Sequence, residues 1–139
     1  MRIQAMVLVA TFALVAGDAR AQAADPKGDE AALKYRQSLM GAIGGDMAAI
    51  GEILKYGMNL PGHVAVHADS LASHAKLVTA AFERKVTAGP TDSEPAIWEK
   101  PDEFAQKGKH FETETAKLAE VARGGDPAAI GAQVKAVGK

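Results

Sequence analysis

The chain has 139 residues, room for one domain. With 47% hydrophobic and 24% charged residues it is neither a disordered tail nor a membrane-spanning array, and a net charge of −1 gives no basis for electrostatic capture of nucleic acid. It contains no cysteine, which excludes disulfides, thiolate metal sites, thiol nucleophiles and thioether-attached cofactors from these residues.

Residues 1–23 read as a secretory signal peptide. Arg2 supplies the positive start, Ala5 to Gly17 is apolar apart from Thr11, and two small-x-small sites follow at Ala19-Arg20-Ala21 and Ala21-Gln22-Ala23. Cleavage after Ala23 is expected, with an uncleaved anchor as the alternative. Residues 24–139 would then be the mature domain, and the bacterial periplasm its destination. No later segment is apolar enough to span a membrane.

The first helix is predicted over about Asp29 to Lys55. Met40, Ile43, Met47, Ile50 and Leu54 recur at steps of three and four and form one apolar stripe. Gly57 is its expected terminator, and Asn59-Leu60-Pro61-Gly62 the turn. Two adjacent glycines within the helix, Gly44 and Gly45, each weaken it by about 1 kcal/mol relative to alanine, so a close packing partner is expected there.

A second helix is predicted over about Gly62 to Lys85, on the seam Val64, Ala68, Leu71, Ala75, Val78 and Phe82. Residues 87–100 hold Gly89-Pro90 and Pro95 and no helical pattern. They read as a long crossover over the bundle, with Trp98 plugging one end of the core. Pro101, followed by Asp102 and Glu103, opens a third helix with the stripe Phe104, Gly108, Phe111, Thr115, Leu118 and Ala122. Gly124-Gly125 ends it. Asp126 and Pro127 then start a fourth helix on Ile130, Val134 and Val137, only about a dozen residues long. The predicted fold is all-α: an antiparallel four-helix bundle with a long crossover between the second and third main helices and a short or truncated fourth helix.

An exported bundle of this connectivity is a common container for haem. Tyr35-Arg36-Gln37-Ser38-Leu39-Met40, followed by Gly41 to Met47, resembles the class II cytochromes c, the cytochrome c prime group, and looks closest to their methionine-ligated low-spin branch. Glu94-Pro95-Ala96-Ile97-Trp98 with Phe104 is similar to that family's crossover and third-helix start. Ala132 to Lys139 is similar to the run that precedes its haem-attachment motif. The resemblance spans about residues 29–139. It implies a covalently bound haem c, one-electron transfer to redox partner proteins, and a homodimer through the first two helices. It makes Met40 the distal iron ligand, with a core methionine on the apolar stripe as the alternative, and Arg36 a partner for a haem propionate, with an exposed helix arginine as the alternative; Met47 and Phe82 are pocket residues for which a plain core role is the plainer reading.

The departure is equally plain. The family attaches haem through Cys-x-x-Cys-His, and this chain has no cysteine and no histidine after His110. Two expectations follow: a haem protein cut short of that motif, or a domain that has lost haem and kept the fold. The rival function is a haem-free helical binding module for a metal, a small apolar ligand or a protein partner.

His63, His67 and His74 fall within roughly 40° of one another around the second helix. His63 and His67, one turn apart, suit a surface Zn, Cu or Ni site, with partly exposed packing histidines as the plainer reading. Asp46 and Asp69 offer no evident third ligand, and His110 reads as exposed. Nothing supports catalysis. Ser38, Ser70, Ser73 and Ser93 lack any nucleophile signature, Glu112 and Glu114 lie in charged helix faces, and no glycine-rich phosphate loop follows a strand. An electron carrier or binding protein is expected, not an enzyme.

Overall fold

The computed structural model describes residues 25–139. The signal-peptide reading of residues 1–23 lies outside them. The described residues are helical, in the order α1 (Pro26–Tyr56), α2 (His63–Ala75), α3 (Val78–Ala81), α4 (Ala96–Glu99), α5 (Pro101–Gly124) and α6 (Pro127–Val137). The four longer helices make the bundle, with α2 packed against both α1 and α5, and α6 packed on α5. No helix among the described residues is long and apolar enough to cross a membrane.

The helix ends follow local chemistry. Asp25 caps α1 by accepting a hydrogen bond from the Gly28 N–H at 3.0 Å, and Pro26 occupies the first turn. Gly57 closes α1 in the left-handed conformation at φ 57°, which an L side chain rarely adopts. Asp126 caps α6 on the Ala128 N–H at 3.0 Å.

Ile50, Leu71 and Leu118 are fully buried and form the centre of the core with Ala68, Ala122 and Ile130. Thr115 is buried among them, and its hydroxyl is satisfied within α5 by the Phe111 carbonyl at 2.8 Å.

Three sequence expectations change. The second helix does not run to Lys85: α2 stops at Ala75, the chain turns, and α3 adds one short turn to Ala81. The carbonyls of Ala81 and Arg84 are taken by the Arg36 side chain instead of by a continuing helix. The crossover carries a short helix, α4, which the prolines had hidden. Finally, among the described residues nothing packs within 4 Å of where a Cβ on Gly44 or Gly45 would sit, so no partner among them accounts for that pair. The close approach occurs at Gly108 instead, where a Cβ would meet the Thr79 hydroxyl at 2.5 Å. Its missing side chain lets α3 settle on α5.

Candidate functional site

Arg36 is the centre of the site. It lies on the face of α1 that turns inward and is only 2% exposed, unusual for an arginine. Its Nε donates to the Ala81 carbonyl at 2.8 Å and Nη2 donates to the Arg84 carbonyl. Its guanidinium carbon stands 5.0 Å from the centre of the Phe82 ring and 5.4 Å from the Trp98 ring, so two aromatic faces flank the cation. Nη1 is buried without a hydrogen-bond partner. Burial pushes the guanidinium below its ordinary value, and the nearby Asp29 carboxylate offsets only part of that.

The surroundings hold Arg36 in place. Trp98 donates its indole N–H to the Phe82 carbonyl at 2.7 Å, and Phe82 meets Phe104 of α5 edge-on at 5.3 Å. Gln37 donates to the Pro90 carbonyl at 2.8 Å, tying the crossover to α1. Arg84 reaches the opposite way, with Nε 2.7 Å from Asp29. The segment after α3 is therefore fastened to α1 by two arginines of opposite direction.

Beside this cluster lies a cavity of about 480 Å³ lined by Arg36, Met40, Phe82, Ile97 and the crossover residues Pro90 to Glu94. Met40 is 44% exposed on its wall. Three of the four cofactor residues expected from the sequence thus converge on one space. Met47 does not: it packs against the core cluster, two turns along α1 from Met40. A second cavity of about 510 Å³ lies between α5 and the end of α6, lined by Gln106, His110, Phe111, Val137 and Lys139. His110 is exposed, as expected.

A family model described as Cytochrome C' matches residues 31–139. The chain belongs to the cytochrome c' family. A cytochrome c' of Rhodospirillum rubrum is 38% identical over 135 residues, covering 96% of this chain and 89% of that protein. Cytochrome c-554 of Cereibacter sphaeroides is 34% identical over 138 residues, covering 94% and 87%. Among solved structures, cytochrome c prime from Shewanella frigidimarina matches with a TM-score of 0.72 at 26% identity, over 79% of this chain and 87% of that one. Cytochrome c' proteins are haem proteins that carry electrons or bind ligands.

The residues present fit a haem on one side. Met40 offers a soft thioether at the cavity wall, and the unpartnered, buried Nη1 of Arg36 is a cationic donor suited to a carboxylate. They do not fit covalent attachment, because residues 1–139 contain no cysteine.

The histidines gather differently from the sequence pattern. His67 Nδ1 lies 2.9 Å from Asp46 Oδ1 and His74 Nδ1 lies 3.4 Å from Asp46 Oδ2. Asp46, on α1, thus stands between two histidines of α2, while His63 stays exposed outside this group. Burial pushes the Asp46 carboxyl up, but the hydrogen bonds from His67 and Ser70 and the field of the two histidines outweigh it and hold it below the usual range. The α1 stripe hid this contact, because Asp46 lies beside the apolar positions and its partners are 21 and 28 residues away. Glu114, read as a solvated carboxylate, is also buried. It accepts from Lys117 at 2.7 Å and from Gln133 of α6 at 2.8 Å, which keep its carboxyl low.

Proposed function

We propose that this chain is the protein scaffold of an electron-carrying, methionine-ligated class II cytochrome c whose cofactor space is the cavity between α1 and the crossover. The observation that carries this is the convergence of Arg36, Met40 and Phe82 on that space, with a buried guanidinium nitrogen left unpartnered beside it. Haem, when bound, supplies the one-electron chemistry, and the protein supplies ligation, burial and charge.

In this reading Met40 provides the distal ligand. Arg36 holds a propionate while its other nitrogens keep the end of α3 closed. Phe82, Ile97 and the crossover shield the apolar face from water. His110, by the cavity at the end of α6, takes no part. The rest of the reading is export to the periplasm through cleavage after Ala23, transfer to protein redox partners, and a homodimer through α1 and α2. At Gly41, Gly44 and Gly51 of α1 no described residue packs within 4 Å of where a Cβ would sit, which supports the dimer. Attachment through Cys-x-x-Cys-His requires residues outside 1–139. Reading the coding DNA beyond the Lys139 codon tests this: an in-frame Cys-x-x-Cys-His supports a covalent haem protein, and an immediate stop favours the haem-free binding module.

The site itself is tested by titrating the full chain with haem. Trp98, the single tryptophan, flanks Arg36, so binding in this cavity quenches its emission. Arg36→Gln should weaken that binding, and Met40→Ala should shift the haem absorbance without abolishing binding. Haem binding indifferent to both substitutions overturns the assignment.

A further inference from the structure

We propose that His63 and His67 form a surface site for a divalent transition metal, with Asp46 as the residue that positions His67. The site is separate from the haem cavity and does not depend on it.

An ionised carboxylate only accepts hydrogen bonds. With Asp46 Oδ1 2.9 Å from His67 Nδ1, the proton of the neutral ring must therefore sit on Nδ1. The lone pair is left on Nε2, the nitrogen free to bind a metal. The same arrangement, a carboxylate behind a histidine, fixes tautomer and ring orientation in metal sites generally. The Asp46 side chain is 13% exposed, with His67 and His74 of α2 against its two oxygens. Its second oxygen is buried and without a hydrogen-bond partner, next to His74 Nδ1, itself buried and unpartnered. Asp46 thus stands behind His67, with one oxygen on its ring and the other buried; it orients and does not ligate.

His63 supplies the second ligand. It is exposed at the first position of α2, and the backbone there is fixed by its N–H to the Leu60 carbonyl at 3.2 Å. The helix runs unbroken from His63 to Ala75, so His63 and His67 stand one turn apart on one face, the spacing at which two histidines reach one ion. Among the described residues no three His, Cys, Asp or Glu side chains gather closely enough to hold a metal. Water completes the coordination, and the site is weaker than a four-ligand structural zinc.

The test is Zn²⁺ titration of the full chain by calorimetry at neutral pH. His63→Ala and His67→Ala should each abolish or severely weaken the binding. Asp46→Ala should weaken it by roughly ten- to a hundredfold, with Asp46→Asn restoring part of the affinity because its amide oxygen still accepts from Nδ1–H. His74→Ala should leave it within about twofold, within ordinary mutational scatter for a non-ligand. Nitrogen-15 NMR of the His67 ring supplies a readout that mere loss of stability would not move: an Nδ1–H tautomer in the parent, a mixture in Asp46→Ala. Unchanged Zn²⁺ affinity in His63→Ala, or in Asp46→Ala with an altered tautomer, overturns the proposal. So does a loss in His74→Ala equal to that in His67→Ala, which would move the site to the Asp46 pair.

Discussion

The middle of the bundle and its Arg36 end, roughly 20 Å apart along α1, keep water out by different means. In the middle, Ile50, Leu71 and Leu118 are fully buried, and the one polar side chain among them, Thr115, bonds its own helix. Burial there stabilises without direction, at about 25 cal/mol per Å² of apolar area. At the Arg36 end a charge is buried between two rings, two arginines fasten the post-α3 segment to α1, and a cavity of about 480 Å³ remains. A buried cation with carbonyl partners fixes geometry more than it adds stability. The middle holds the fold together, and the other end holds a shaped space open.

Truncation in each region separates the two roles. Leu71→Ala or Leu118→Ala should cost about 3–5 kcal/mol, the cost of a cavity in a fully buried site. Chemical denaturation measures it, and Trp98 emission in the folded state should not change. Arg36→Leu leaves the Ala81 and Arg84 carbonyls unpaired and should cost about 2–4 kcal/mol. Here Trp98 emission should change as well, because the cation leaves the ring face. If Arg36→Leu keeps the parent's emission, the stacked cluster does not organise that end.

Gly108→Ala sharpens the comparison at the seam between the regions. It forces a methyl onto the Thr79 hydroxyl and should destabilise by about 1–3 kcal/mol. Thr79→Ala in the same chain should recover most of the loss; additivity of the two changes would contradict the close approach. Gln133→Ala, which removes the α6 bond to Glu114, should cost about 1–2 kcal/mol.

The smallest effect is one of pH. The Asp46 carboxyl lies below its unfolded value in the folded chain. Its contribution is therefore fully present above an unfolded pKa of about 4 and lost as pH falls through the lower folded value. Thermal unfolding of Asp46→Asn should show a shallower fall in stability below about pH 4 than the parent.

Much of the bundle was legible in the sequence, because three- and four-residue spacing, Gly57, Pro101, Gly125 and Asp126 act locally. The break at Ala75 was not. The seam residues Val78 and Phe82 continue the helical spacing across it, and the stop after Ala81 depends on a side chain 45 residues away, Arg36, which claims the Ala81 and Arg84 carbonyls. Arg36, Met40 and Phe82 were found as a group only because the resemblance joined them. The Asp46–His67–His74 contact left no sequence signal, since its members sit beside the stripes on separate helices. Gly44 and Gly45 misled, because a glycine pair marks space without saying whether anything fills it.

The most direct test of the central claim is the absorbance and reduction potential of the haem-loaded protein with Met40 replaced by alanine. Met40→Ala should lose the methionine–iron charge-transfer band and lower the potential, with the helical content retained. An unchanged spectrum and potential in a folded Met40→Ala protein would contradict it.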